Sequence, residues 1–206
     1  LHPLRHWPET FRGKAILLRI DPGKGRGHHA HVRTAGSQSK FGIAPDELDA
    51  VTEAVSKAGA TVFALHAHAG SGILTPDGWA ETARFLIDVA TRFPTVQALD
   101  LGGGLGIAEK PDQHPLDLQA VNDSLLNFKR EHPSVELWME PGRFLVAHAG
   151  VLLARVTQIK TKGEITYVGI ETGMNSLIRP ALYGAYHPIV NLSQLDQPRT
   201  VMAHIV

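Results

Sequence analysis

Cysteine is absent from the 206 residues, which excludes disulfides and thiolate metal sites and gives no sign of an oxidising compartment. An excess of charge of one sign is lacking too: twenty basic residues balance twenty acidic ones, and no long charge run occurs. Binding to nucleic acid or to a membrane surface through bulk charge is therefore not expected. No uninterrupted apolar run approaches membrane-spanning length, and the opening residues LHPLRHWPET lack the basic-then-apolar layout of a secretory signal. Internal repeats and low-complexity segments are missing as well. The expectation is a cytoplasmic protein long enough to bury a sizeable core. Histidine, by contrast, is abundant, with twelve copies.

Four apolar runs punctuate the chain: AILLRI (15–20), TVFALH (61–66), VQALDL (96–101) and VELWME (135–140). Their Val, Ile, Leu and aromatic content suits strands buried on both faces. Amphipathic helices are predicted between them. PDELDAVTEAVSKAG has Pro45 in its first turn and Gly59 as its stop. In TPDGWAETARFLIDVATRF, Thr75 is the predicted cap and Pro76 the first helical residue, with Trp79, Ala83, Leu86, Ile87 and Ala90 on one face. The third helix aligns Leu118, Val121, Leu125 and Phe128. This alternation argues for a parallel α/β sheet, open or closed into a barrel. After residue 144 the pattern turns to β, with a hairpin around Lys162-Gly163 and short β runs through IVNLSQL and RTVMAHIV. The expected division is 1–146, α/β, and 147–206, mostly β.

Chemistry in parallel α/β folds collects at the carboxyl ends of the strands. Here the four runs are succeeded by DPGKGRGHHAHVRTAGSQSKFG, HAHAGSG, GGGLG and EPGR, while the opposite ends carry ordinary connectors. GGGLG (102–106) exposes backbone N–H groups and permits close approach, although Ile107 breaks the dinucleotide pattern. With Gly70-Ser71-Gly72 it makes a phosphate cradle; the plainer reading is a tight turn. His66 and His68, two apart, would point the same way on a strand. They are either metal ligands, as in barrel hydrolases, or a ring-stacking residue and a structural one. His28, His29 and His31 read as loop and surface residues. Arg143 suits a phosphate or a carboxylate, and Glu140 suits a protonated ring nitrogen such as that of pyridoxal phosphate. A simple Glu140–Arg143 ion pair is the alternative.

Several stretches carry a resemblance. ALHAHAGSGI, LDLGGGLGI, MEPGRFLVAHAG and GMNSLIRPALYGAYH resemble the alanine-racemase-type barrel decarboxylases that use pyridoxal phosphate. SKFGI and RPALYGAYH narrow the resemblance to diaminopimelate decarboxylase, with wording close to the decarboxylase half of bifunctional aspartate kinase–diaminopimelate decarboxylases. It covers nearly the whole chain. The resemblance implies the C-terminal half of a (β/α)8 barrel followed by the start of a mostly β domain. It also implies that His68 stacks on the cofactor, that Ser71, Gly102, Gly103 and Gly104 hold its phosphate, and that Glu140 meets its pyridine nitrogen, with Gly142 and Arg143 also at the cofactor. Arg143, Arg179 and Tyr183 would bind the substrate, meso-diaminopimelate, which yields L-lysine and carbon dioxide in the cytoplasm. The full enzyme would be a homodimer.

Two family features are not matched. The Schiff-base lysine, in a motif resembling YAVKAN, has no counterpart: Lys14 precedes its strand, and Lys40 lies in the SKFG loop. The Cys-Glu-Ser motif contributed across the dimer interface is also not found. The chain thus reads as part of the enzyme and is expected to lack decarboxylase activity alone. Ornithine, arginine and carboxynorspermidine decarboxylases, a metal-dependent barrel hydrolase using His66 and His68, and a non-catalytic cofactor-binding protein are the competing readings.

Overall fold

The computed structural model describes residues 1–23, 26–27, 36 and 39–206. His28, His29 and His31 fall outside the described residues. Two compact units emerge, Leu1–Ala108 with His114–Ala147, and Glu109–Gln113 with His148–Val206.

The first unit is built on four parallel strands in sequence order: β1 (Ala15–Arg19), β3 (Thr61–His66), β5 (Ala98–Asp100) and β6 (Glu136–Trp138). A small parallel pair, β2 (Arg26–Gly27) with β4 (Gly70–Ser71), lies between the main strands in sequence. Short helices α1 (His2–His6) and α2 (Pro8–Phe11) pack on α3 (Leu48–Ala58), the crossover from β1 to β3. Helices α4 (Gly78–Ala90) and α5 (Leu118–Glu131) are the next two crossovers, and they pack on each other. The strand–helix alternation predicts a parallel α/β sheet, and that is the architecture found.

Local sequence explains the helices. In α3, Leu48, Val51, Val55 and Ala58 recur at helical spacing and are buried. The helix stops at Gly59, whose φ of 65° lets its N–H return to Val55 and Ser56 carbonyls. Asp117 caps α5 by accepting the Ala120 N–H at 3.0 Å. Lys129 and Arg130 sit in the last turn of α5, favourable for the helix dipole. Between sheet and helices, Phe128, Leu65, Leu86, Leu99 and Val51 are fully buried.

Several boundaries differ from the sequence expectation. α4 starts at Gly78 with Asp77 at its N-cap, so Thr75 and Pro76 belong to the preceding turn. Leu118, at the first position of α5, is 47% exposed, because the opening turn extends beyond the packed face. The third and fourth strands keep only three residues each, and after the third Gly102 (φ 67°) turns the chain directly beyond Leu101.

The second unit holds the hairpin β7 (Val156–Lys162) and β8 (Ile165–Ile170), antiparallel, with Gly163 at φ 61° in the turn. β9 (Ala203–Ile205) joins β8 in parallel. IVNLSQL is not a strand: Leu192–Gln194 is a 3-10 turn with the Asn191 side chain accepting the Ser193 N–H. Every residue of β7 is exposed. Helix α6 (Gly142–Val146) closes the first unit, and α7 (Arg179–Tyr183) belongs to the second.

Phe128 is the side chain most dependent on the helix–sheet layer. Phe128→Ala is expected to destabilise the first unit by about 3–5 kcal/mol, against under about 0.5 kcal/mol for Leu126→Ala on the exposed face of α5. Urea denaturation followed by tryptophan fluorescence measures both; equal losses would contradict the packing described.

Candidate functional site

The register of the sheet brings its carboxyl ends level. Arg19 pairs with His66, His66 with Asp100, and Asp100 with Trp138. Residues in register on adjacent strands point to the same side, so the last residues of β3 and β5, His66 and Asp100, are side by side. Beyond the strands the pairing continues irregularly: the Ala67 N–H donates to the Asp100 carbonyl, the Leu101 N–H to that of Trp138, and the Glu140 N–H to that of Gly102.

His66, Asp100 and Glu140 form one group, with one ligand-type atom of each within 4.8 Å of the others. His66 Nε2 lies 3.6 Å from Glu140 Oε2; its side chain is 10% exposed, whereas that of Glu140 is 59% exposed. Burial is the main influence holding the His66 proton affinity below its ordinary value; Asp100 and Glu140 oppose it, and Arg19 reinforces it. His68 is lowered chiefly by burial as well, then by Arg19 and His66. Both imidazoles are therefore neutral near pH 7.

His68 lies beyond β3, so the two-residue spacing does not place it beside His66 as a strand would. Its Nδ1 accepts the Gly103 N–H at 3.2 Å, which leaves the ring proton on Nε2. It is not part of the His66 group.

The three glycines are required by crowding. A Cβ on Gly102 would come within 2.6 Å of His68 Nδ1, on Gly103 within 2.3 Å of the Glu140 carbonyl oxygen, and on Gly104 within 2.2 Å of the Gly70 carbonyl oxygen. Gly102 N–H donates to Asp100 Oδ1 at 2.9 Å, and the Gly103 carbonyl accepts the Trp79 Nε1–H at 3.0 Å. Gly104 N–H has no hydrogen bond among the described residues, and Gly104 is half-buried. Ser71 ends β4, and Gly142 and Arg143 open α6. In the second unit, Arg179 and Tyr183 share α7. The Arg179 guanidinium donates to Glu109 Oε1 at 3.1 Å and lies 3.2 Å from His187 Nε2.

Sequence singles out His66 and Glu140 without joining them to each other or to Asp100. The signal is available in register: adjacent parallel strands that end together align their last residues. Trp79 reads in sequence as a core residue alone, and its hydrogen bond to the Gly103 carbonyl has no signal there. Nor has the pairing of Arg179 with Glu109, seventy positions earlier.

The two lowered histidines fix a pH dependence. An unfolded histidine titrates at about 6.5, and the folded rings titrate lower, so between those values the unfolded chain binds more protons. Stability is expected to fall as pH drops from about 7.5 through about 6.5 and to level off once the folded rings also protonate. The thermal midpoint measured at about pH 7.5 and about pH 5.5 should decrease more in the wild type than in the His66→Gln/His68→Gln variant; an equal decrease would refute the assignment.

A family model described as "Pyridoxal-dependent decarboxylase, pyridoxal binding domain" matches residues 3–147. The diaminopimelate decarboxylase of Methanothermobacter thermautotrophicus is 36% identical over 209 residues, covering 95% of this chain and 47% of that protein. The Escherichia coli K12 enzyme of the same name is 34% identical over 188 residues, covering 88% of this chain and 44% of that protein. A crystal structure of the M. jannaschii diaminopimelate decarboxylase in complex with L-lysine superposes with a TM-score of 0.76 at 30% identity, covering 92% of this chain and 47% of that one. The chain thus spans about half the length of the curated relatives it matches. The glycine loop, His66, His68 and the carboxylate after β6 all lie within the matched segment, and the chain belongs to the pyridoxal-dependent decarboxylase family through its pyridoxal-binding domain.

Proposed function

We propose that this chain carries the phosphate- and pyridine-holding part of a pyridoxal-phosphate-dependent diaminopimelate decarboxylase, which converts meso-diaminopimelate to L-lysine and carbon dioxide. The observation that carries the reading is the convergence of three elements at one end of one parallel sheet. Glu140 presents an exposed carboxylate, His68 is a neutral ring pinned through Nδ1, and Gly104 offers an N–H unengaged among the described residues. Pyridoxal phosphate needs complementary groups of this kind: an anion at its ring nitrogen, a flat face, and N–H and O–H donors at its phosphate.

When bound, the cofactor supplies an electron-accepting ring that takes the electron pair released by the departing carboxylate. The chain's residues prepare that ring. Glu140 would hold a proton on the pyridine nitrogen, and His68 would offer its ring face to the cofactor, with its tautomer fixed by the Gly103 N–H. Ser71, Gly104 and the Gly142–Arg143 turn take the phosphate. Gly102 and Gly103 use their N–H groups on Asp100 and His68 and so shape the loop. Arg143, Arg179 and Tyr183 bind the substrate, the arginines matching its carboxylates. For Arg179 this means exchanging Glu109 for a substrate carboxylate.

Lys14 sits at the amino end of β1, opposite the site. The lysine that anchors the cofactor is therefore proposed to come from a segment outside this sequence. The complete protein is proposed to be a cytoplasmic homodimer without a nucleic-acid partner. Among the described residues no helix is long and apolar enough to cross a membrane.

The test is carbon dioxide release from meso-diaminopimelate by this chain and by a protein extended in both directions along its gene. Turnover by the extended protein, with none by this chain, is expected. Preference for L-ornithine or L-arginine would move the assignment to a sister decarboxylase; turnover by this chain alone would refute the need for an external lysine.

A further inference from the structure

Buried polar atoms without partners are few in native proteins and call for a reason. Among the described residues the one such side-chain atom is His66 Nε2. It sits at the end of β3 on a side chain that is nine-tenths buried, and the nearest acidic oxygen, Glu140 Oε2, is 3.6 Å away. That gap is just beyond hydrogen-bond length, and a small rotation of the exposed carboxylate closes it.

We infer that His66 is a positioning residue for Glu140: its Nε2–H donates to the carboxylate and aims the other oxygen at the cation that the site binds. This rests on the cofactor reading of the site, in which that cation is the protonated pyridine nitrogen.

The two side chains are unequal in freedom. His66 is fixed by its strand, with Arg19 and Asp100 in register on either side and its carbonyl accepting the Ile20 N–H. Glu140 lies past β6, before Pro141 and Gly142, with most of its side chain in solvent. A free glutamate would sample several rotamers, and ordering it costs entropy at each binding event. A fixed donor behind the carboxylate lowers that cost in advance. The ring's tautomer is set by the same contact. An unprotonated Nε2 would turn its lone pair toward a carboxylate oxygen, whereas a protonated one satisfies both groups. Asp100 is engaged elsewhere: its Oδ1 accepts the Gly102 N–H at 2.9 Å, which ties it to the glycine loop.

The experiment titrates pyridoxal phosphate into the protein extended in both directions along its gene and monitors quenching of tryptophan fluorescence, with no turnover needed. His66→Leu is expected to weaken binding about tenfold, as for loss of a hydrogen bond to a charged group. His66→Gln, which keeps an N–H donor, should stay within about threefold of wild type by the same measure. In a Glu140→Gln background, His66→Leu should cost little more. A His66→Leu effect of equal size in both backgrounds, or no rescue by Gln, would overturn the inference and leave His66 a packing residue. Should His66→Leu fail to fold, nitrogen-15 NMR of the wild-type histidines decides. A proton on Nε2 of His66 that responds to Glu140→Gln supports the inference, and a proton on Nδ1 overturns it. Failure of the extended wild-type protein to bind pyridoxal phosphate at all would instead refute the cofactor reading, and the inference with it.

Discussion

The site depends on how closely the backbone after β5 approaches its neighbours. Gly103 lies so near the Glu140 carbonyl, and Gly104 so near the Gly70 carbonyl, that neither tolerates a Cβ. Hydrogen bonds hold this approach from both sides: Glu140 N–H to the Gly102 carbonyl, and Ile73 N–H to the Gly104 carbonyl, both at 2.9 Å. Trp79 adds a clamp from α4 through the Gly103 carbonyl. With three strand ends bound to one loop, the loop's position fixes the height of His68 on one side and of Glu140 on the other. A residue bulkier than glycine would push both apart.

Burial then does the chemical tuning. Burial removes water from His66 and His68, and desolvation disfavours their charged forms. Neutral rings suit this location. A charged His66 would compete with a cationic ligand for Glu140, and a charged His68 would repel a ring bearing a proton. Arg19, in register with His66, adds to the same bias.

Much of this is legible in sequence because it is periodic or local. Four apolar runs with helical spacing between them specify a parallel sheet, and the polar or glycine-rich stretch after each run marks the functional edge. The glycine triplet and EPGR are readable as site elements because glycine and charge have few other reasons to recur at strand ends. The features that escape a sequence reading depend on register and rotation. Thr75 and Pro76 have the chemistry of a helix start, yet the helix waits for Asp77 and Gly78. His68 comes after His66 at strand spacing, but β3 ends first. IVNLSQL has strand-forming residues without a neighbouring strand to pair with, so Asn191 caps a 3-10 turn instead. Long-range pairs such as Arg179 with Glu109 leave no local pattern at all.

The grouping of His66, Asp100 and Glu140 is the feature that a metal ion and an organic cation would use differently. A transition-metal ion needs every ligand atom at about 2.0–2.2 Å, each with a free lone pair directed inward. Here the ligand-type atoms of the group are spread over as much as 4.8 Å, and Glu140 turns most of its side chain to solvent. A protonated ring nitrogen demands less, since one carboxylate oxygen suffices and the histidine need only hold the other. Asp100 then serves the loop rather than the ligand, keeping Gly102 where Glu140 can pair with it. On the division of labour proposed above, the three residues would form a support for a flat cation, with the buried members positioning the exposed one.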